Sequence, residues 1–138
     1  MQTQIYLVFD GRTEEALDFY KKTLGVEVQM MMRFKDAPGP QDPNCPPPKN
    51  PNAVMHSSFK LGDQQVMASD GDSGGKPEFK GFSLTLAVDT EAQAEKLFAA
   101  LSEGGNVKQP LIPTFFSPKF GIVQDKFGVG WMVLVNRP

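Results

Sequence analysis

The sequence IYLVFDGRTEEALDFYKKTLG, residues 5–25, places a β-strand directly before an amphipathic helix. Residues 4–9 carry the β-branched and aromatic side chains typical of strands, and Asp10-Gly11 ends the strand with turn chemistry. Thr13 is predicted to be the N-cap, because acidic residues follow where the helix dipole favours negative charge. Apolar side chains then recur at helical spacing up to Gly25, at Ala16, Leu17, Phe19, Tyr20 and Leu24.

The same pattern returns 79 residues further along the chain. Leu84, Leu86 and Val88 then match Ile5, Leu7 and Phe9. A capping box, Thr90-Glu-Ala-Gln93, predicts the start of a second helix. Three strands are expected after each helix, at 26–34, 53–61 and 64–69 in the first half and at 106–112, 115–124 and 129–135 in the second. In the strand 26–34, simple alternation places Val26, Val28, Met30, Met32 and Phe34 on one face.

Each repeat is too small to bury its helix and sheet faces alone. We therefore expect an α+β fold in which two βαβββ modules form a curved eight-stranded mixed sheet with helices on the convex side. The 138 residues suit a single domain, with module one at 1–70, a linker at 71–79 and module two at 80–138.

Composition excludes several classes of partner. Lys and Arg total 14 against 16 for Asp and Glu, so the chain has no basic excess with which to bind nucleic acid or an anionic membrane. Apolar runs such as residues 5–9 are far too short to span a bilayer. Cys45 is the only cysteine, which excludes an internal disulfide, and no secretory signal is visible. These features predict a cytoplasmic protein.

Prolines are concentrated in one segment. Seven of the 12 fall between Pro38 and Pro51, so residues 35–52 are predicted to form a long irregular loop. Loops of this length are usually functional or disordered. We expect a semi-rigid flap or a dimer-contact arm.

The element order and several motifs resemble the vicinal oxygen chelate superfamily, which includes glyoxalase I, extradiol dioxygenases and bleomycin-resistance proteins. The segments Glu15-Ala-Leu-Asp-Phe-Tyr20, Val54-Met-His-Ser-Ser58 and Asp125-Lys-Phe-Gly128 resemble its PhnB-like branch. The resemblance covers essentially the whole chain. It implies a cup whose concave face holds a small ligand, usually in a homodimer.

Metal-dependent members of this superfamily carry His, Glu or Gln ligands on the first and last strands of each module. Alignment with them places Ile5, Ser83, Val66 or a neighbour, and Met132 at these positions. These side chains cannot form a hard divalent site, so no metal and no cofactor are expected. A metal-dependent lyase, isomerase or dioxygenase is the alternative, and whether any reaction is catalysed is left open.

A methyltransferase function is also considered, because PhnB-like proteins are often described as similar to 3-demethylubiquinone 3-methyltransferase. Such an enzyme needs a glycine-rich loop after its first strand, and here that turn reads Asp10-Gly-Arg-Thr13. Methyl transfer is therefore disfavoured.

His56 is the sole histidine, so any acid or base chemistry by imidazole must use it; the alternative is a structural histidine beside the sheet. Alternation puts Ser58 on the same strand face. Ser83 and Thr85 are expected to face the cup, and Phe116, next to Phe115, could form an aromatic lip. The predicted ligand-binding residues are His56, Ser58, Ser83, Thr85, Met132 and Phe116, each weighed against an ordinary structural role.

Three further residues or segments have simpler interpretations. Trp131 is predicted to pack beneath the helices, and Arg33 to be a solvated charge or a contact for an anionic ligand. The segment 70–75 is interpreted as a linker, because it lacks the ligand set of a calcium loop and the glycine spacing of a phosphate loop.

Overall fold

The computed structural model describes residues 1–37, 50–71 and 76–137. It divides into two compact units, Met1–Pro77 and Glu78–Pro138. The first unit contains β1 (Ile5–Val8), α1 (Thr13–Leu24), β2 (Glu27–Arg33), a short 3-10 helix (Phe34–Asp36), β3 (Val54–Leu61) and β4 (Gln64–Ser69). The second contains β5 (Leu84–Val88), α2 (Glu91–Ser102), β6 (Asn106–Ile112), β7 (Phe120–Gln124) and β8 (Gly130–Val135).

Both units have the same topology, which confirms the predicted α+β class and the two βαβββ modules. The strand order is β1-β4-β3-β2 in the first sheet and β5-β8-β7-β6 in the second. In each sheet the outer first strand runs parallel to its neighbour, and the other pairs are antiparallel. The eight predicted strands thus form two hydrogen-bonded sheets of four.

Each helix covers one face of its own sheet. In the first unit, alternate strand residues such as Leu7, Phe59 and Val66 are fully buried together with Leu17 and Tyr20 of α1. In the second unit, Trp131, Val133 and Val123 are buried with Phe98 and Leu101 of α2. The buried position of Trp131 confirms the sequence prediction for that residue.

A β-bulge in β2 makes the predicted alternation wrong for this strand. Val28 pairs with Phe59, whereas Met30 pairs with the next residue of β3, Ser58. Since Phe59 and Ser58 point to opposite faces, Val28 and Met30 also lie on opposite faces. The extra residue at the bulge reverses the alternation, which places Met31 opposite the buried Ser57 on the helix side.

The start of α1 also differs from the prediction. Thr13 is the first helical residue rather than the N-cap, and Arg12 at the N-cap makes no side-chain capping bond. Instead, Asp70 accepts hydrogen bonds from the Thr13 N–H at 2.9 Å and from the Thr13 hydroxyl at 2.6 Å. A carboxylate that follows β4 therefore caps the helix from a distant part of the sequence.

The strand predicted at 115–124 is shorter in the structure, because a turn occupies its first residues. The Thr114 N–H donates to the Ser117 carbonyl at 2.8 Å. The buried Ser117 hydroxyl then bonds the backbone of Lys119 and Val135. β7 begins only after this turn, at Phe120.

The proline-rich loop lies mostly outside the described residues, which omit 38–49. At its base, the Phe34 N–H donates to the Ala53 carbonyl at 3.1 Å, and the Lys35 N–H donates to the Pro51 carbonyl at 2.9 Å. The flap or arm expected for this loop stays a prediction. Residues 72–75 of the predicted linker also lie outside the described ranges. Within those ranges, no helix has the length and apolar character needed to cross a membrane.

The capping box of α2 is confirmed and supports a prediction. The Thr90 hydroxyl accepts from the Gln93 N–H at 3.1 Å, and the Gln93 side chain accepts from the Thr90 N–H at 3.2 Å. We expect Thr90→Ala to lower the free energy of unfolding by about 1 kcal/mol, because the helix loses its cap. Urea unfolding measures this change. Thr90→Ser keeps the hydroxyl and should restore most of the loss; an equal loss in both variants would contradict the capping role.

Candidate functional site

The face of each sheet that carries no helix holds most of the predicted site residues. We call these the first and second helix-free faces. In the first unit, Tyr6 and Val8 alternate with the buried Leu7, and Tyr6 is 45% exposed. The register then assigns further residues to the first helix-free face, which includes Tyr6, Val8, Met30, Met32, His56, Ser58, Lys60, Gln65, Met67 and Ser69.

Tyr6 and His56 form a pair on this face. The Tyr6 hydroxyl lies 3.2 Å from His56 Nδ1, and the two rings stack with centroids 5.7 Å apart and planes 29° from parallel. The phenol can donate to Nδ1 or accept from it, depending on the imidazole tautomer. His56 is half-buried, so the one imidazole of the chain is partly shielded from water but still accessible to a ligand.

Methionines surround this pair. Ser58 has Met30 opposite it on one neighbouring strand and Met67 on the other. Met32 lies opposite His56. Methionine is unbranched and polarizable, so such a surface adapts to the shape of an apolar molecule.

The second helix-free face carries a comparable row of side chains. Thr85 pairs with Met132, and Met132 pairs with Ile122 on the next strand. Ser83 precedes β5 and is half-buried; a Cβ added at Gly130 would lie 3.1 Å from the Ser83 hydroxyl oxygen. Small residues thus meet at this end of β5 and β8.

An exposed aromatic cluster lies before β7. Phe116 contacts Phe115 and Phe120 edge to face, with centroid distances of 5.2 and 5.0 Å. Phe115 is 90% exposed and Phe116 is 43% exposed. Neither ring enters the core, and the aromatic lip over a ligand stays a prediction.

The structure therefore brings His56 and Ser58 onto one face and Thr85 and Met132 onto another. Ser57 points the opposite way, and its buried hydroxyl donates to the Ala68 carbonyl at 2.7 Å. Tyr6 was missed by the sequence reasoning, which treated it only as a strand residue. The repeat could have identified it, because a shift of 79 places Tyr6 on Thr85. Ligand binding by the predicted residues stays a prediction.

Two of the positions assigned to a metal ring are corrected by the register. Ile5 pairs with Val66 on the helix side of the first sheet, so neither side chain reaches the helix-free face. Their neighbours Tyr6 and Met67 pair there instead, as Thr85 and Met132 do in the second sheet.

Tyr6, Met67, Thr85 and Met132 offer phenol, thioether and hydroxyl donors, and Ser83, the position assigned from the sequence, would add only another hydroxyl. A hard divalent ion needs carboxylate or imidazole ligands, so these four positions do not fit such an ion. Within the described ranges, no group of three or more His, Cys, Asp or Glu side chains is placed to hold a metal.

Arg33 and Lys119, two charged side chains outside these faces, each form an ion pair. Arg33 pairs with Glu14 and donates to the Asn52 carbonyl at 2.8 Å, so its guanidinium is engaged within the first unit. Lys119 donates a hydrogen bond to Glu95, and this bond raises the pKa of the exposed ammonium group above its ordinary value.

The fold places this chain in a known structural class. The crystal structure of a glyoxylase/bleomycin resistance protein/dioxygenase domain from Frankia sp. EAN1pec is 12% identical, with a TM-score of 0.64 over 99% of this chain and 95% of that chain. At this identity the likeness shows the fold alone. It is the glyoxalase/bleomycin-resistance fold expected from the sequence.

Closer relatives define the family. The family model described as 3-demethylubiquinone-9 3-methyltransferase matches residues 1–134. Protein YjdN of Escherichia coli (strain K12) is 33% identical over 137 residues, which cover 96% of this chain and 93% of that protein.

Two crystal structures of similar proteins cover nearly the whole chain. Protein PA1353 from Pseudomonas aeruginosa is 39% identical, with a TM-score of 0.83 over 100% of this chain and 99% of that chain. A Bacillus cereus protein described as a putative 3-demethylubiquinone-9 3-methyltransferase, PhnB protein, is 28% identical, with a TM-score of 0.80 over 98% and 99%. The chain therefore belongs to this PhnB-like family.

Proposed function

We propose that this protein binds a small, largely apolar organic molecule with a planar ring on the first helix-free face. The observation that carries the proposal is the Tyr6–His56 pair, a half-buried imidazole stacked on an exposed phenol. Ligand sites are mostly apolar and contain a few polar groups that fix orientation. This pair supplies the polar groups.

The surroundings of the pair fit a planar ligand. Met30 and Met67 lie on either side of the small Ser58, which is only 6% exposed, so a ligand ring would lie against these two polarizable side chains. Thioethers make favourable contacts with aromatic rings. An aromatic ring over Ser58 would contact the methionines, while its polar substituent bonds His56 or Tyr6.

The methyltransferase named in the family description is not proposed for this chain. The first sheet has a single parallel pair, whereas doubly wound cofactor-binding sheets are mostly parallel. Asp70 already accepts hydrogen bonds from the Gly11 and Thr13 N–H groups in the turn after β1. Those donors are used to hold the helix start.

We also propose an oligomeric state and a cellular location for this protein. The protein acts as a homodimer, as the family resemblance implies, and it is cytoplasmic, which suits a chain with a single cysteine. Its ligand needs no resident hard divalent ion. Light scattering after size-exclusion chromatography tests the dimer.

Binding is tested with phenol, indole and benzoate, each measured by saturation-transfer NMR. We expect at least one probe to bind saturably, and His56→Ala to weaken it about tenfold, the cost of one lost hydrogen bond. Tyr6→Phe keeps the ring and should have a smaller effect on apolar probes. Lys108→Gln, an exposed change on β6, is the control. The proposal fails if no probe binds or if His56→Ala and Lys108→Gln bind alike.

A further inference from the structure

The methionines of the first helix-free face lie close together in the sheet register. Met30, Ser58 and Met67 occupy successive strands in one cross-strand row. Neighbouring strands are about 4.8 Å apart, so the two methionine backbones are separated by about 10 Å across a small serine. Two flexible methionine side chains can meet over that serine.

His56 is placed beside this row with one ring nitrogen already engaged. It lies two residues from Ser58 on β3 and opposite Met32 on β2. Its Nδ1 is 3.2 Å from the Tyr6 hydroxyl oxygen. With the proton on Nδ1 donated to that oxygen, Nε2 carries the free lone pair. Metal-binding histidines typically donate their other ring N–H to an oxygen in this way.

We propose that Met30, Met67 and His56 form a binding site for a soft monovalent cation, Cu(I), with Met32 as a further thioether beside it. The donor set combines thioethers with one imidazole and contains no carboxylate, and thioethers select Cu(I) over hard divalent ions. The ion would be held by sulfur and Nε2 atoms. This is a metal site, distinct from the proposed binding of an organic ligand on the same face.

Silver(I) is the probe, because it has the same soft character and does not change oxidation state in air. The experiments use a Cys45→Ser background, since a thiol would bind silver by itself. Native mass spectrometry counts bound ions, and NMR of ¹³C-labelled methionine methyl groups locates them. We expect one tightly bound silver ion, with the largest shifts at Met30 and Met67.

A matched pair of double variants tests the location. Met30→Leu/Met67→Leu removes both thioethers of the site and should abolish stoichiometric binding. Met31→Leu/Met55→Leu changes two half-buried methionines outside this row, of which Met31 lies on the helix side of β2, and should leave binding unchanged. Tyr6→Phe should lower the affinity about tenfold, because the imidazole loses its orienting partner.

The proposal is overturned if the Cys45→Ser protein binds no silver, or if the Met31/Met55 variant loses as much affinity as the Met30/Met67 variant. If the Met30/Met67 variant fails to fold by circular dichroism, His56→Gln with the thioethers intact replaces it and must weaken silver binding. Failure here leaves the organic-ligand proposal standing, since phenol, indole and benzoate are measured without silver.

Discussion

Replacing Asp70 with alanine is expected to lower the free energy of unfolding by about 4 kcal/mol, the largest effect of any single change considered. Asp70 is only 3% exposed. One oxygen accepts from the Gly11 N–H, the Thr13 N–H and the Thr13 hydroxyl, and the other accepts from the Val54 N–H at 2.8 Å. The substitution leaves these buried donors unpaired, and each unpaired donor costs about 1–3 kcal/mol.

Urea unfolding measures the effect, with Asp63→Ala in the β3–β4 turn as the control. Asp63 is exposed, so its loss should change stability by about 0.5 kcal/mol or less. Asp70→Asn should lie between the two, because an amide retains one accepting oxygen and loses the charge beside the N-terminus of α1. Equal stability of the Asp70→Ala and Asp63→Ala proteins would contradict this role.

Replacing Asp125, in the second unit, with alanine is expected to lower the free energy of unfolding by about 3 kcal/mol. Its Oδ1 accepts from the N–H groups of Phe127 and Val129 at 2.9 and 3.1 Å. Its Oδ2 accepts from the indole N–H of Trp131 at 2.8 Å, and all three contacts are buried. The turn between β7 and β8 therefore depends on one carboxylate, whose removal leaves the donors unpaired.

Trp131 is the only tryptophan, so its fluorescence reports this change directly. We expect Asp125→Ala to shift the emission and to lower the urea midpoint, because the buried indole loses its partner. Asp89→Ala, at the exposed end of β5, is the control and should leave both unchanged. Unchanged fluorescence and midpoint in Asp125→Ala would show that the turn holds without the carboxylate.

The roles of these two aspartates could not be predicted from the sequence, because their partners are set by the fold. Asp70 reads as the first residue of a Gly/Ser-rich linker, and its partners Gly11 and Thr13 lie 59 and 57 positions away. Capping rules consider residues next to the helix, so they favour Thr13 as the cap. The local capping box at Thr90 was predictable because both partners lie within one turn of α2.

The strand predictions succeeded where they depended on local alternation and failed where they depended on pairing between strands. Alternation placed His56 and Ser58 on the same face of β3, and the strand register agrees, with Ser57 on the other face. It failed in β2, because a bulge depends on pairing with β3 and leaves no clear mark in a run of three methionines. Ile5 and Val66 were wrong as metal-ring positions for a related reason, because a one-residue error moves a side chain to the other face; Met67, the neighbour of Val66, does reach the helix-free face.

For the candidate site, the sequence identified His56 and its face but not its partner. Tyr6 is 50 positions from His56, and only the parallel pairing of β1 with β4 brings them together. The row of Met30, Ser58 and Met67 could not be predicted either, because the bulge in β2 decides which methionines reach the helix-free face. Without the register, it would not be known that Met30 and Met32 lie on the helix-free face and Met31 on the helix side.

Methyl NMR of methionine-labelled protein titrated with indole tests the central claim most directly. We expect saturable shifts at the methyl groups of Met30, Met32 and Met67, with little change at Met31 and Met55. Shifts confined to Met31, Met55 or Met132, or no saturable shift with indole, phenol or benzoate, would contradict a ligand site on the first helix-free face.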